Sequence, residues 1–148
     1  LGVEHRRSIV SIPGAGWLIL DDLAGRGLHN LESFLHLGPG ISAAVEEGRV
    51  ELAPLGWNLL PFGLTKRPTV LSDYHSPSPG HNEPSETLLM AALRTLPCRC
   101  GYFLGPLPAD RLTWDSPDRL RIESPLRSIT VDLNDLNEGG CALAGSGL

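Results

Sequence analysis

One group of residues near the N-terminus has the side chains needed for metal or acid–base chemistry. It contains His5, His29 and His36 together with Asp21 and Asp22. Imidazole and carboxylate groups are common metal ligands, so this set invites a metallohydrolase hypothesis. In extended strands, however, His29 and His36 have opposite parity and face opposite sides of a sheet. We therefore predict no metal site here, and we expect His5 and Asp21 to meet as a cross-strand pair.

A second group lies between residues 65 and 86, in a segment rich in proline, serine, histidine and asparagine. It contains Tyr74, His75 and His81, and Tyr and His are residue types that a lyase uses as acid and base. A long loop at the edge of a domain can reach a neighbouring cleft. We predict that Tyr74 and His75 contact substrate, and the alternative is a solvated loop without such a role.

The three tryptophans, at positions 17, 57 and 114, are candidates for stacking on sugar rings. Trp17 lies in the most apolar run of the chain, which predicts a place in the core. Trp57 follows Gly56 and precedes a strand that contains Pro61, so we predict that it is at the surface and binds substrate. The sequence contains no Gly-x-Ser-x-Gly nucleophile elbow and no phosphate-binding glycine loop. We assign no catalytic residue and no cofactor.

The composition indicates one globular domain. The chain has 148 residues, of which 41% are hydrophobic and 20% are charged, which suffices for a hydrophobic core. The net charge is −5 and the basic residues are scattered, which argues against a nucleic-acid surface. No apolar run approaches the ~20 residues that span a bilayer. We therefore predict neither nucleic acid nor a membrane as a partner.

The chain has three cysteines, at positions 98, 100 and 141. Cys98 and Cys100 share one face of a strand, and a bridge between residues i and i+2 would be strained. The Cys-Arg-Cys spacing also differs from that of a zinc ribbon. We predict buried or half-buried free thiols, with a single bridge to Cys141 as the alternative. Neither outcome decides the redox compartment.

Short apolar runs recur between turn residues, a pattern typical of all-β proteins. It predicts an antiparallel two-sheet sandwich of about nine to eleven short strands over residues 1–133. A long Pro-rich loop is predicted for 65–86 and a flexible tail for 134–148. Residues 87–96 fit either a helix or a strand, and we favour a strand. The other predicted strands cover residues 7–12, 17–23, 29–37, 49–52, 58–64, 98–104, 111–114, 119–123 and 128–133.

The first forty residues look like the middle of a larger protein. Three strand-like runs begin almost at residue 1, and no initiator methionine or signal peptide precedes them. The same region resembles the later half of the C-terminal β domain of the heparinase II/III-like polysaccharide lyases. The similar segments are residues 5–10, 17–23, 25–29, 34–40, 74–80 and 96–107.

The segment from Tyr74 to Gly80 resembles a Tyr-Ser-Pro-x-Tyr-Gly loop of that family. It departs from the pattern because His75 is inserted and Pro79 stands where an aromatic residue is expected. The whole resemblance covers about residues 4–108. It is carried by the order and spacing of the segments, and no single motif is specific by itself.

The resemblance implies a β-sandwich of the supersandwich type that packs against a helical toroid. Enzymes of this family cleave uronic-acid-containing polysaccharides, glycosaminoglycans among them, by β-elimination. Their catalytic and zinc-binding motifs would lie before Leu1, so none of those roles transfers to a residue here. The implied role is structural or cleft-forming, in a periplasmic or secreted enzyme.

The partners that the resemblance implies are the polysaccharide, the missing toroid and the first part of the β domain. Two alternatives belong to different classes. One is a free-standing carbohydrate-binding β-sandwich, and the other is the metallohydrolase that uses the histidines.

Overall fold

The computed structural model describes residues 2–46, 48–65, 67–134 and 145–146. These residues form eleven strands and no α-helix. None of the described segments is a helix long and apolar enough to cross a bilayer. The strands are β1 (Glu4–Ile12), β2 (Gly16–His36), β3 (Ser42–Glu46), β4 (Arg49–Ala53), β5 (Trp57–Phe62), β6 (Thr69–Ser78), β7 (His81–Gly105), β8 (Arg111–Ser116), β9 (Arg119–Glu123), β10 (Ser128–Asp132) and β11 (Gly145–Ser146).

The strands form two antiparallel sheets, which confirms the predicted all-β sandwich. The larger sheet has seven strands in the order β1-β2-β7-β5-β4-β3, and β6 also pairs with β7. The smaller sheet has the order β11-β10-β9-β8. Of the predicted flexible tail, 134–148, residues 135–144 and 147–148 lie outside the described part of the chain. Residues 145 and 146 pair with β10.

Two strands are much longer than the sequence predicted. β2 has 21 residues and β7 has 25, and they pair along most of their lengths. The prediction ended a strand near Leu23, but the pairing continues after a register shift between Leu23 and Gly27. Gly25 and Gly27 have φ values of 151° and 89° there. Glycine tolerates these angles, so β2 bends at an irregularity and does not end.

The predicted loop at residues 65–86 was wrong. Most of this segment is a β-hairpin in which β6 pairs with the first part of β7. Proline has no N–H, and a sheet tolerates it where the strand edge is open. Pro77 lies on β6, and Pro84 lies in the part of β7 beyond the last residue of β2, His36. The strand that we favoured for residues 87–96 is confirmed as part of β7.

The apolar side chains form two cores. Neighbouring residues of a strand face opposite sides of the sheet, so Leu18 and Leu20 enter the first core and Ile19 enters the second. The first core lies between the two sheets and includes Phe103 and Ile122. The second lies within the larger sheet, which curls until β3 approaches β6 and β7.

Three large apolar residues are exposed on one side of the larger sheet, where Asn30 and Glu32 also lie. Leu28 and Phe34 on β2 and Leu93 on β7 are all exposed. The strand pairing places them on the same side, since Asn30 opposes Leu93 and Phe34 opposes Leu89. We call these three residues the apolar face.

Candidate functional site

A cavity lies between β1, β2 and β7 on one side and β8 with the β8–β9 turn on the other. Its volume is about 590 Å³. Residues that bear charge or an aromatic ring line it: Glu4, Arg6, Asp22, Arg99, Trp114 and Asp118. We call this cavity the Trp114 groove.

Strand register places the central charges of the groove side by side. Arg6 of β1 is directly opposite Asp22 of β2, which is opposite Arg99 of β7. Opposed residues of antiparallel strands share a face, so the three side chains form a row with the carboxylate in the middle. Arg99 Nε donates a hydrogen bond to Asp22 Oδ1 at 2.6 Å, and Arg6 Nη2 lies 3.4 Å from Asp22 Oδ2.

Arg99 also joins this row to the smaller sheet. Its Nη1 donates a hydrogen bond to the carbonyl oxygen of Pro117. Its guanidinium carbon lies 5.4 Å from the centre of the Trp114 ring, a cation–π distance. Trp114 in turn contacts Phe62 edge to face, with ring centres 5.8 Å apart. The groove is therefore held in shape before any ligand binds.

The groove has a lining that suits a polar ligand. It offers N–H donors, carboxylate acceptors and part of an aromatic ring. Its lining includes neither histidine nor tyrosine. The carboxylate of Asp22 is already engaged in ion pairs with Arg6 and Arg99. Nowhere in the described part of the chain do three or more His, Cys, Asp or Glu side chains form a metal-holding group.

Trp57 lies away from this groove. It packs against Trp17 with ring centres 5.3 Å apart, and it lines a separate cavity of about 420 Å³ with Arg49 and Glu51. The prediction that Trp17 lies in the core was wrong, since this residue is 39% exposed. Trp17 is the second residue of β2, beside the β1–β2 turn. At that position the neighbouring strands cover it only in part.

Tyr74 and His75 lie on the β6–β7 hairpin, and the Tyr74 side chain is 70% exposed. They line neither the Trp114 groove nor the cavity beside Trp57. On the same hairpin, His81 Nε2 lies 3.0 Å from Glu83 Oε1. Trp57, Tyr74 and His75, the three predicted substrate-binding residues, therefore do not lie together at one cavity. Their role in binding substrate stays a prediction.

The predicted pair of His5 and Asp21 is confirmed. His5 Nε2 lies 2.7 Å from Asp21 Oδ1, and Arg7 donates two hydrogen bonds to the same carboxylate at 2.7 and 2.8 Å. Asp21 is only 4% exposed. Burial opposes its charged form, but the hydrogen bonds from Arg7 and His5 outweigh burial and lower the pKa of Asp21. This cluster holds β1 to β2.

The other two histidines of the first group lie elsewhere. His29 Nε2 lies 2.9 Å from the carbonyl oxygen of Arg26. His36 Nδ1 lies 2.8 Å from Thr87 Oγ1 and 3.2 Å from Asp73 Oδ2, and Thr87 donates to the same Asp73 oxygen. A catalytic triad needs its nucleophile and its carboxylate on different ring nitrogens. The His36 cluster therefore connects β2, β6 and β7 and does not form a proton relay.

The two described cysteines are free thiols that differ in burial. Cys98 is half-buried and Cys100 is buried, as predicted, while Cys141 lies outside the described residues. Burial, with Asp21 nearby, raises the pKa of Cys100 to about 11. Burial also raises the pKa of Cys98.

We expect iodoacetamide at pH 8 to label Cys98 faster than Cys100. The thiolate is the reactive species, and three pH units below its pKa only about one Cys100 in a thousand carries it. Mass spectrometry of labelled peptides measures both rates in the same sample. Cys100 should react at the rate of Cys98 only after unfolding in urea, and equal rates in the native protein would contradict the burial argument.

Sequence reasoning found only part of the groove. The sequence analysis considered Asp22 as a metal ligand. A hairpin turn at residues 13–15 places Arg6 directly opposite Asp22, so the turn position alone could have indicated this contact. Trp114 was one of the three tryptophans considered for stacking on sugar rings, but its place beside Asp22 was not predicted. Arg99 gave no local signal, since long-range pairing brings β7 to this place. Searches against family models, curated proteins and solved structures found no match to this chain.

Proposed function

We propose that this chain is the β-sandwich portion of a heparinase II/III-like polysaccharide lyase and that it binds polysaccharide in the Trp114 groove. The observation that carries the proposal is the combination, in one cavity, of an exposed aromatic ring with paired arginines and carboxylates. The antiparallel two-sheet fold agrees with the fold that the resemblance over residues 4–108 implies. The chain contributes a wall of the substrate cleft and holds no complete active site.

The chemistry of β-elimination explains why we assign no catalysis to the chain alone. The reaction needs a group that neutralises the uronate carboxylate, a base for the C5 proton and an acid for the leaving oxygen. The described lining of the groove contains neither the histidine nor the tyrosine that a lyase uses as base and acid. Tyr74 and His75 have suitable side chains, but they lie on the hairpin outside the groove.

The apolar face supports a role within a larger enzyme. Leu28, Phe34 and Leu93 are large apolar residues exposed on one side of the larger sheet, and exposed apolar surface can mark an interface. In the proposed enzyme the remaining parts, the toroid and the first part of the β domain, would cover them. The second candidate function is a free-standing carbohydrate-binding module. The Trp114 groove supports this function too, but in such a module no other domain would cover the apolar face.

We expect the isolated chain to bind a polysaccharide and to form no unsaturated uronate product. Affinity gel electrophoresis over a panel of neutral and acidic polysaccharides measures binding, and ultraviolet absorbance of the product measures elimination. Trp114→Ala should weaken binding at least tenfold, because it removes the aromatic wall. Trp57→Ala tests the other cavity, which the sequence prediction favoured, and under the present proposal this variant should bind like the wild type.

Three results would count against parts of the proposal. Absence of binding to every polysaccharide would overturn the binding role. An unsaturated product from the isolated chain would overturn the claim that it lacks a complete active site. Loss of binding in Trp57→Ala but not in Trp114→Ala would move the site to the cavity beside Trp57.

A further inference from the structure

The charges around the Trp114 groove allow a more specific assignment, which rests on the proposed polysaccharide-binding function. We infer that the groove takes an uncharged pyranose residue of the polysaccharide in preference to a uronate. A polysaccharide that contains uronates often contains uncharged sugars as well. The preference therefore determines which of its sugar residues binds in the groove.

The first argument is the charge balance of the lining. Three carboxylates, of Glu4, Asp22 and Asp118, face two guanidinium groups, of Arg6 and Arg99. Among the described residues, the lining contains no lysine or histidine, so its carboxylates exceed its guanidinium groups by one. A uronate carboxylate would enter a region of like charge, which opposes its binding.

The second argument is that Arg99 is already engaged. Its Nε donates a hydrogen bond to Asp22, its Nη1 donates one to the Pro117 carbonyl, and its guanidinium carbon lies over the Trp114 ring. A two-point pair with a ligand carboxylate through Nε and an Nη nitrogen would displace Asp22. That exchange would cost Asp22 its 2.6 Å charge-assisted hydrogen bond.

The third argument is that hydroxyl groups match what the groove leaves available. A carboxylate only accepts hydrogen bonds, whereas a hydroxyl both donates and accepts. The carboxylates of Glu4 and Asp118 have no hydrogen-bond or ion-pair partner within the described part of the chain. Neighbouring sugar hydroxyls can donate to them and accept from the remaining N–H groups of Arg99.

Trp114 supplies the apolar contact that a pyranose needs. Its side chain lines the groove and the residue is 36% exposed, so part of the ring can pack against the C–H face of a sugar. The cavity volume of about 590 Å³ lies within the range of about 300–1000 Å³ that is usual for ligand pockets. An uncharged ring therefore satisfies the polar groups and the aromatic surface together.

The test compares one uronate-containing polysaccharide with its carboxyl-reduced form, in which each uronate has become a neutral hexose. Isothermal titration calorimetry at low ionic strength gives both affinities. We expect the reduced polymer to bind at least tenfold more tightly. The double variant Glu4→Gln/Asp118→Asn should narrow this ratio, because it removes two of the three groove carboxylates.

Asp132→Asn is the matched control, since Asp132 pairs with Arg119 on the smaller sheet outside the groove. It should leave the ratio unchanged. Tighter binding of the unreduced polymer, or a ratio that the double variant does not alter, would overturn the inference and leave the proposed function standing. If neither polymer binds, the proposed function itself fails.

Discussion

Asp21→Asn is expected to destabilise the folded protein by about 3 kcal/mol at pH 7. The carboxylate accepts two hydrogen bonds from Arg7 and lies within hydrogen-bond distance of His5. Hydrogen bonds to a charged group contribute about 1.5–3 kcal/mol each, and breaking a buried ion pair costs about 3–5 kcal/mol. Arg7 and His5 are roughly half exposed and recover some hydration, which keeps the loss at the lower end. Urea unfolding of the variant and the wild type measures the difference.

The same carboxylate should make wild-type stability depend on acid pH. The pKa of Asp21 is lower in the folded state than its ordinary value near 4. Its contribution is therefore complete above that ordinary value and is lost as the pH falls through the lowered folded pKa. The variant should lack this part of the acid dependence.

The exposed pair of Asp132 with Arg119 is the control for this experiment. The pKa of Asp132 is also lowered, chiefly by the backbone N–H of Asn134 and also by Arg119, but its side chain is solvated. Asp132→Asn should change the urea midpoint much less than Asp21→Asn does. Equal midpoints for Asp21→Asn and the wild type would show that the buried cluster does not stabilise the fold.

Gly101→Ala is expected to have the largest effect, with a loss of more than about 4 kcal/mol or no folded protein. Gly101 lies in the centre of β7 between β2 and β5, with φ at 152°. A methyl group there would overlap the carbonyl oxygen of Ile19 and approach the Phe62 ring within 3.0 Å. Both obstacles belong to packed strands, so β2 or β5 would have to move away.

Gly56→Ala measures the cost of a left-handed backbone conformation without any steric overlap, and it is the comparison for Gly101→Ala. Gly56 has φ at 64°, but a methyl group there meets nothing within 4 Å. It should cost only about 1–2 kcal/mol, the usual penalty of a left-handed backbone. Circular dichroism and thermal unfolding of both variants give the comparison. Similar losses in the two variants would contradict the claim that close strand approach requires glycine at position 101.

The sequence predicted local features of the fold better than distant ones. The turn at residues 13–15 fixes the β1–β2 register, so the contact between His5 and Asp21 was predictable. The predicted strands at residues 111–114 and 119–123 are likewise confirmed as β8 and β9, which a short turn joins. In both cases the residues that decide the structure lie within a few positions of the turn.

The errors arose where the outcome depends on distant strands. Prolines at positions 77 and 84 predicted a loop, but the strand edges at these positions are open. Trp17 belongs to an apolar run, which predicted burial. Whether its side chain is buried depends on strands that lie far along the chain. The groove needed Arg99 and Trp114 beside Asp22, and no local pattern encodes the pairing of β2 with β7.

The central pairing of β2 with β7 also has a consequence for how the chain folds. The hydrogen bond between Arg99 and Asp22 joins residues 77 positions apart, whereas the β1–β2, β6–β7 and β8–β9 hairpins close over short turns. Closing a long segment costs chain entropy before its contacts form, and topologies of this kind fold slowly. We therefore expect the hairpins to form early and the pairing of β2 with β7 to limit the folding rate. Because β7 contributes Phe103 to one core and Met90 to the other, that step completes both.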